Sequence, residues 1–193
     1  METENKVNHI PEQETAETLA DPAVVGPYSS DQGFENEPEL VDEAAFEKTV
    51  VEIKRVTKVV KGGKKLSFTA LVVVGNKRGQ VGYALGKAKD VPSAIDKAGR
   101  RAMKALVKVP IVGTSIPHMV QERFGATRVM LKPARPGTGV IAGTTLRALL
   151  DAAGIADVLT KIIGSSNPHN VIQAAIAGIR KMRTREEIAA LRQ

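Results

Sequence analysis

From Thr49 the apolar positions recur every second residue, with Val51, Ile53 and Val59 on one parity and Val50, Val56 and Val60 on the other, as far as Gly62-Gly63. A glycine pair between two extended runs predicts a tight hairpin, because both central residues of the favoured turn need positive φ. The return strand spans Leu66 to Val74, with Leu66, Phe68, Ala70, Val72 and Val74 on one face. A second turn, Gly75 to Gly79, leads to a strand through Val81, Tyr83 and Leu85, giving a three-stranded meander. The period then lengthens to about 3.6 residues. Ile95, Ala98, Ala102 and Leu106 make one helical stripe, with Pro92 in the first turn where its missing N–H costs nothing. Lys97, Arg101, Lys104 and Lys108 make a second stripe, so the helix has an apolar back and a basic front.

Pro110 to Pro117 reads as a connection to a second unit. There, extended runs around His118 to Phe124 and Arg128 to Lys132 precede the loop Pro133 to Gly139. A helix from Ile141 to Ala153, stopped by Gly154, a strand from Ile155 to Ile163 and a helix from Pro168 capped by Asn167 follow. The last of these turns Val171, Ile172, Ala175, Ile176, Ile179 and Met182 inward. Thr184 and Glu187 have the spacing of a capping box for a short terminal helix. The expected organisation is an acidic disordered tail over 1–45, a β-β-β-α unit over 46–109, a β-β-α-β-α unit over 110–182 and a basic helix over 183–193. A unit of about 60 residues buries only about 60% of the surface that its unfolded chain exposes, so the halves should lean on each other or on partners.

Charge changes this picture from architecture to function. The net charge of +7 hides a division: residues 1–47 hold thirteen acids against Lys6, a net of −12. The rest keeps 27 of the 28 Lys and Arg and eight of the 21 acids, a net of +19. Such an excess repels itself unless a polyanion neutralises it, and nucleic acid is the natural one. An anionic membrane would call for an amphipathic helix with bulky aromatic anchors, and there is no Trp. Only Phe68, Tyr83 and Phe124 are aromatic in the basic part, too few to stack successive unpaired bases, which leaves folded RNA read by phosphate and shape. No apolar run approaches the roughly 18 residues of a membrane span, and the acidic start has no signal-peptide pattern, so a cytoplasmic location is expected. With no Cys and with His9, His118 and His169 scattered, no metal, cofactor or disulfide is expected.

The run Arg55-Val56-Thr57-Lys58-Val59-Val60-Lys61-Gly62-Gly63, followed by Ser67-Phe68-Thr69-Ala70, resembles the bacterial-type small-subunit ribosomal protein five family. The likeness continues through Val81-Gly82-Tyr83, Gly86-Lys87-Ala88, Pro136-Gly137-Thr138-Gly139 with Ile141-Ala142-Gly143, and Gly164-Ser165-Ser166-Asn167-Pro168. It covers about 46–182 in order. The resemblance implies an α+β chain: a small double-stranded-RNA-binding-like β-β-β-α domain followed by a β-β-α-β-α domain with a left-handed β-α-β crossover, against the usual hand. It further implies a structural constituent of the small ribosomal subunit, bound to ribosome and ribosomal RNA, that stabilises head against body and contributes to translational accuracy. Its neighbours would be ribosomal proteins four and eight, with no homo-oligomer expected.

The RNA-binding positions that follow are Arg55, Thr57, Lys58, Lys61, Gly62, Gly63, Lys64 and Lys65 at the hairpin, Lys77 and Arg78 in the second turn, Lys87, and Lys97, Arg101, Lys104 and Lys108. A Gly-Gly tip lets backbone amides approach phosphates, and the lysines supply charge around it. Phe124, Gly125, Thr127 and Arg128 match the family segment that faces protein four. An enzyme would have to use the glycine-rich loop 136–139, since such loops at helix N-termini cradle phosphates. That loop lacks the Walker spacing, and Glu122, Asp151 and Asp157 make no obvious magnesium-plus-base set, so no catalytic residue is expected. A free double-stranded-RNA binder shares the charge argument but would work through the first unit alone. Arg180, Lys181, Arg183, Arg185 and Arg192 fit either RNA contact or solvation of a helix. The acidic tail fits a solvated spacer or a cover for the basic face that RNA displaces.

Overall fold

The computed structural model describes residues 46–192, so the reading of 1–45 as an acidic disordered tail lies outside the described residues. β1 (Glu47–Val60), β2 (Gly63–Gly75) and β3 (Gln80–Ala88) form the expected antiparallel meander. α1 (Val91–Met103) crosses it, and β4 (Val107–Lys108) returns to pair with Gln80 and Val81, completing a sheet of order β1-β2-β3-β4. The β-β-β-α order of the first unit is as expected, with this two-residue strand added at its end. The added strand takes Lys108 off the helical stripe of Lys97, Arg101 and Lys104, because α1 ends at Met103.

A second sheet, of order β5-β6-β8-β7, contains β5 (Val120–Phe124), β6 (Thr127–Pro133), β7 (Val140–Ile141) and β8 (Val158–Gly164). α2 (Thr144–Ala153) links β7 to β8, which are parallel, so the β-α-β crossover is present. The expected helix began at Ile141, but that residue pairs beside Leu159, and α2 starts only after Gly143. The expected strand began at Ile155, but the amides of Ala156 and Asp157 both donate to the Thr114 carbonyl, leaving β8 to start at Val158. α3 (Pro168–Lys181) and α4 (Arg185–Ala190) close the chain. Asn167 makes no side-chain cap on α3, whereas the Thr184–Glu187 capping box of α4 is present in both directions. The fold is α+β.

β2 explains how the two sheets hold together. Its residues Ala70, Val72 and Val74 pack under Ala94, Ala98 and Ala102 of α1. Its other face, Leu71 and Val73, joins Val81 of β3, Leu146, Leu149 and Leu150 of α2, Val129 and Leu131 of β6, and Ile172 and Ile179 of α3. The sequence pattern put one face of β2 inward; both are buried, which suits its unbroken apolar run. Small residues set the spacing to α1. A Cβ on Gly86 would lie 2.2 Å from the Ala94 carbonyl oxygen, and one on Gly82 would lie 2.3 Å from that of Ala102. A second seam joins the Gly75–Gly79 turn to the end of α2, where the Lys77 and Gly79 amides donate to the carbonyls of Ala152 and Ala153 at 3.0 and 2.9 Å.

Candidate nucleic-acid interface

The β1–β2 hairpin outruns the core. Strand pairing continues to Val60 opposite Gly63, yet from Thr57 to Leu66 every residue except half-buried Val60 is exposed, with Val59 73% accessible. The apolar alternation that predicted these strands therefore leaves their outer end largely exposed, with only Val60 half-buried. Gly62 turns at φ +93° with open space where a side chain would be, so its conformation requires glycine, not crowding. Lys58 sits directly opposite Lys65, and Val59 opposite Lys64. Like charges facing each other across a strand pair are destabilising. Ion pairs among the described residues join Lys54 to Glu52, Lys77 to Glu47 and Lys181 to Glu122, and none reaches the hairpin tip. Arg55 and Thr57 are exposed below the tip, opposite Phe68 and Leu66.

A second basic surface lies over α1. Lys87 from β3 and Lys97, Arg100, Arg101 and Lys104 from α1 and its C-cap line an open depression of about 480 Å³. The Arg101 guanidinium donates to the Leu85 carbonyl at 3.2 Å, which holds it against the edge of β3. Arg100 was missed by the stripe of Lys97, Arg101 and Lys104, although its adjacency to Arg101 was a visible signal. Arg78 and Lys108 lie elsewhere, at a cleft shared with Arg180. Lys77 stands at φ +56° with its ammonium 2.6 Å from Glu47. The hydrogen bond and charge of Glu47 raise its pKa, so at neutral pH it is a cation already partnered.

The Phe124–Arg128 segment is the turn between β5 and β6. Phe124, Gly125 and Arg128 are exposed, and Gly125 adopts φ +56°. Thr127 differs: it is fully buried, and its hydroxyl donates to the Ser165 carbonyl at 2.8 Å. Its side chain shapes the turn and presents nothing to a partner, which corrects its place among the interface residues.

The glycine-rich loop cradles an anion from its own chain. Asp157, 3% exposed, accepts the Gly139 amide at 2.8 Å, while the Thr138 amide turns back to the Arg135 carbonyl at 3.1 Å. The Gly139 bond, then that from the Thr114 side chain, outweigh burial and hold its pKa below the usual carboxylate range. The loop also does not open a helix, since β7 intervenes. Glu122 is paired with Lys181, and Asp151 is exposed on α2, so the three acids have separate surroundings. His169 contacts Gln173 and lies with its ring centroid 6.3 Å from that of Tyr83, in the seam between the halves. Among the described residues no three His, Asp or Glu converge as metal ligands.

Residues 46–110 match the family described as "Ribosomal protein S5, N-terminal domain", and residues 122–192 match "Ribosomal protein S5, C-terminal domain". The chain is 55% identical over 143 residues to a protein of Syntrophobacter fumaroxidans named "Small ribosomal subunit protein uS5", covering 74% of this chain and 86% of that one. A protein of Lawsonia intracellularis with the same name is 49% identical over 150 residues, covering 78% of this chain and 92% of its own length. With both halves of the family matched in order, and with relatives of this closeness over most of both chains, the chain belongs to the ribosomal protein S5 family.

Proposed function

We propose that this protein is a non-enzymatic structural constituent of the small ribosomal subunit, working in the cytoplasm, and that the β1–β2 hairpin anchors it to ribosomal RNA. The observation that carries the reading is the projecting tip, where Lys58, Lys61, Lys64 and Lys65 stand exposed without an acid among the described residues. A protein gains nothing in its own stability from lysines facing lysines, whereas a phosphate backbone converts that repulsion into binding. The α1 depression adds a second phosphate-binding surface. The continuous core through β2 makes the two halves one lever, which suits a protein that stabilises head against body. In this reading domains 46–109 and 110–182 contact different parts of the subunit, and the basic segment 183–193 extends the second. The exposed Phe124, Gly125 and Arg128 face ribosomal protein four and through it affect translational accuracy, with protein eight the other neighbour.

The test is binding to small-subunit ribosomal RNA carrying its early-assembling proteins, across a salt series. Changing Lys58, Lys61, Lys64 and Lys65 to Glu should lower affinity and flatten the salt dependence, by about 0.7–0.9 in log–log slope per lost phosphate contact. Equal binding by the variant would move the anchor off the hairpin. Absence of wild-type binding would remove the ribosomal-RNA reading altogether.

A further inference from the structure

Arg78, Lys108 and Arg180 rim a cleft of about 440 Å³ between the two halves, away from both surfaces above. Each arrives by a different constraint. Gly79, at φ +87°, lets β4 approach the turn so closely that the Val109 amide donates to its carbonyl at 2.7 Å. That contact, with Lys108 in register opposite Gln80, sets Lys108 beside the turn that carries Arg78. Arg180 follows Ile179, whose burial in the core leaves its neighbour at the mouth of the cleft. Half-buried Pro110 and Ile111 supply aliphatic surface within, above the buried Val109 and Met182. The Glu187 carboxylate on the far wall accepts the Thr184 amide at 3.0 Å in the α4 capping box. None of the three cations has an ion-pair partner among the described residues.

We propose that this cleft seats one unpaired nucleotide of ribosomal RNA, with its phosphate on Arg78, Lys108 and Arg180 and its base against Pro110 and Ile111. The proposal rests on the RNA-binding reading above and adds a different kind of contact. A duplex backbone needs cations but no apolar floor, and a stiff duplex does not enter a concavity. An unstacked base needs both, since folded RNA is read largely at loops and bulges whose bases splay out against side chains. The volume falls in the range of about 300–1,000 Å³ typical of small-ligand sites. Two planar guanidiniums offer a phosphate paired donors.

The experiment compares the full chain with the triple variant Arg78→Ala, Lys108→Ala, Arg180→Ala on small-subunit ribosomal RNA carrying its early-assembling proteins, probing each base chemically. These side chains are exposed, so the variant should melt as wild type does. It should still bind and keep the hairpin footprint, lose protection at one unpaired nucleotide, and have a salt slope lower by about 0.7 per lost contact. Identical protection of every unpaired base in the two proteins would overturn the proposal. A parallel titration of the free chain with a nucleoside 5′-monophosphate, inorganic phosphate and an acidic peptide separates the cleft from the wider reading. Amide shifts at Gly79, Ile111 and Met182 with the nucleotide alone support the cleft even if the large RNA fails to bind. The same shifts with the acidic peptide alone would assign the cleft to a protein partner and sink the proposal.

Discussion

The amide of Lys77 donates to the carbonyl of Ala152 at 3.0 Å, so a turn of the first sheet caps the C-terminus of a helix that belongs to the second. The end of a helix leaves its last carbonyls without intrahelical partners, and here the other half of the protein supplies them. Gly154 makes the approach possible: it sits at φ +89°, and a Cβ there would lie 2.2 Å from the Lys77 carbonyl oxygen. Gly154→Ala should therefore destabilise the protein by at least about 1–3 kcal/mol through overpacking, with added backbone strain. Urea unfolding checks it, and an unchanged midpoint would show that the seam yields easily.

Lys65→Glu should move stability and binding in opposite directions. It replaces a like-charge pair with an opposite-charge pair facing Lys58, worth about 0.2–1 kcal/mol in favour of the folded chain. The same change removes a cation from the hairpin tip, so affinity for small-subunit ribosomal RNA should fall. Thermal unfolding and a binding series on the same preparation decide this; a loss of both would make the hairpin lysines structural.

Gly86→Ala tests the packing of α1 on β3. Its added methyl would meet the Ala94 carbonyl oxygen at 2.2 Å and the Ala98 amide nitrogen at 2.7 Å, both backbone atoms that cannot swing aside. The expected cost is about 1–3 kcal/mol or more. Because α1 must then lift, the depression holding Lys97, Arg101 and Lys104 should change too, visible as amide shifts along 91–103.

Asp157→Asn should flatten the acid limb of the stability curve. The folded-state pKa of Asp157 lies below its ordinary value, so its charged form contributes stability that is present above that value and is lost as pH falls through the lowered one. The uncharged amide accepts the Gly139 N–H more weakly, so the variant should be less stable at pH 7 and lose less between pH 7 and acid below about pH 4. Parallel loss in both proteins would place the acid sensitivity at other carboxylates.

Thr127→Val should cost about 0.5–1.5 kcal/mol, since the half-buried Ser165 carbonyl then loses the hydroxyl that reaches it. Ribosome-level accuracy should follow the fall in stability, whereas Arg128→Ala, at an exposed site, should alter accuracy with stability nearly unchanged. Equal effects of the two on unfolding would remove that distinction.

What the sequence determined by itself are the features that depend on neighbours along the chain. The Gly62-Gly63 turn, the alternation of β2, the Thr184–Glu187 capping box and the charge excess after Lys48 are local or compositional, and each was legible before any fold was known. Only the tertiary structure decided which polar and apolar positions were spent inside. It buried the second face of β2, turned Thr127 inward, gave the glycine-rich loop to Asp157 and drew Val107 and Lys108 into a sheet whose other strands end at Ala88. It also brought Arg78, Lys108 and Arg180 to one cleft. Periodicity reports which side of an element is apolar, but what covers that side, and where an amide or a cation finds its partner, depends on contacts between residues far apart in the chain.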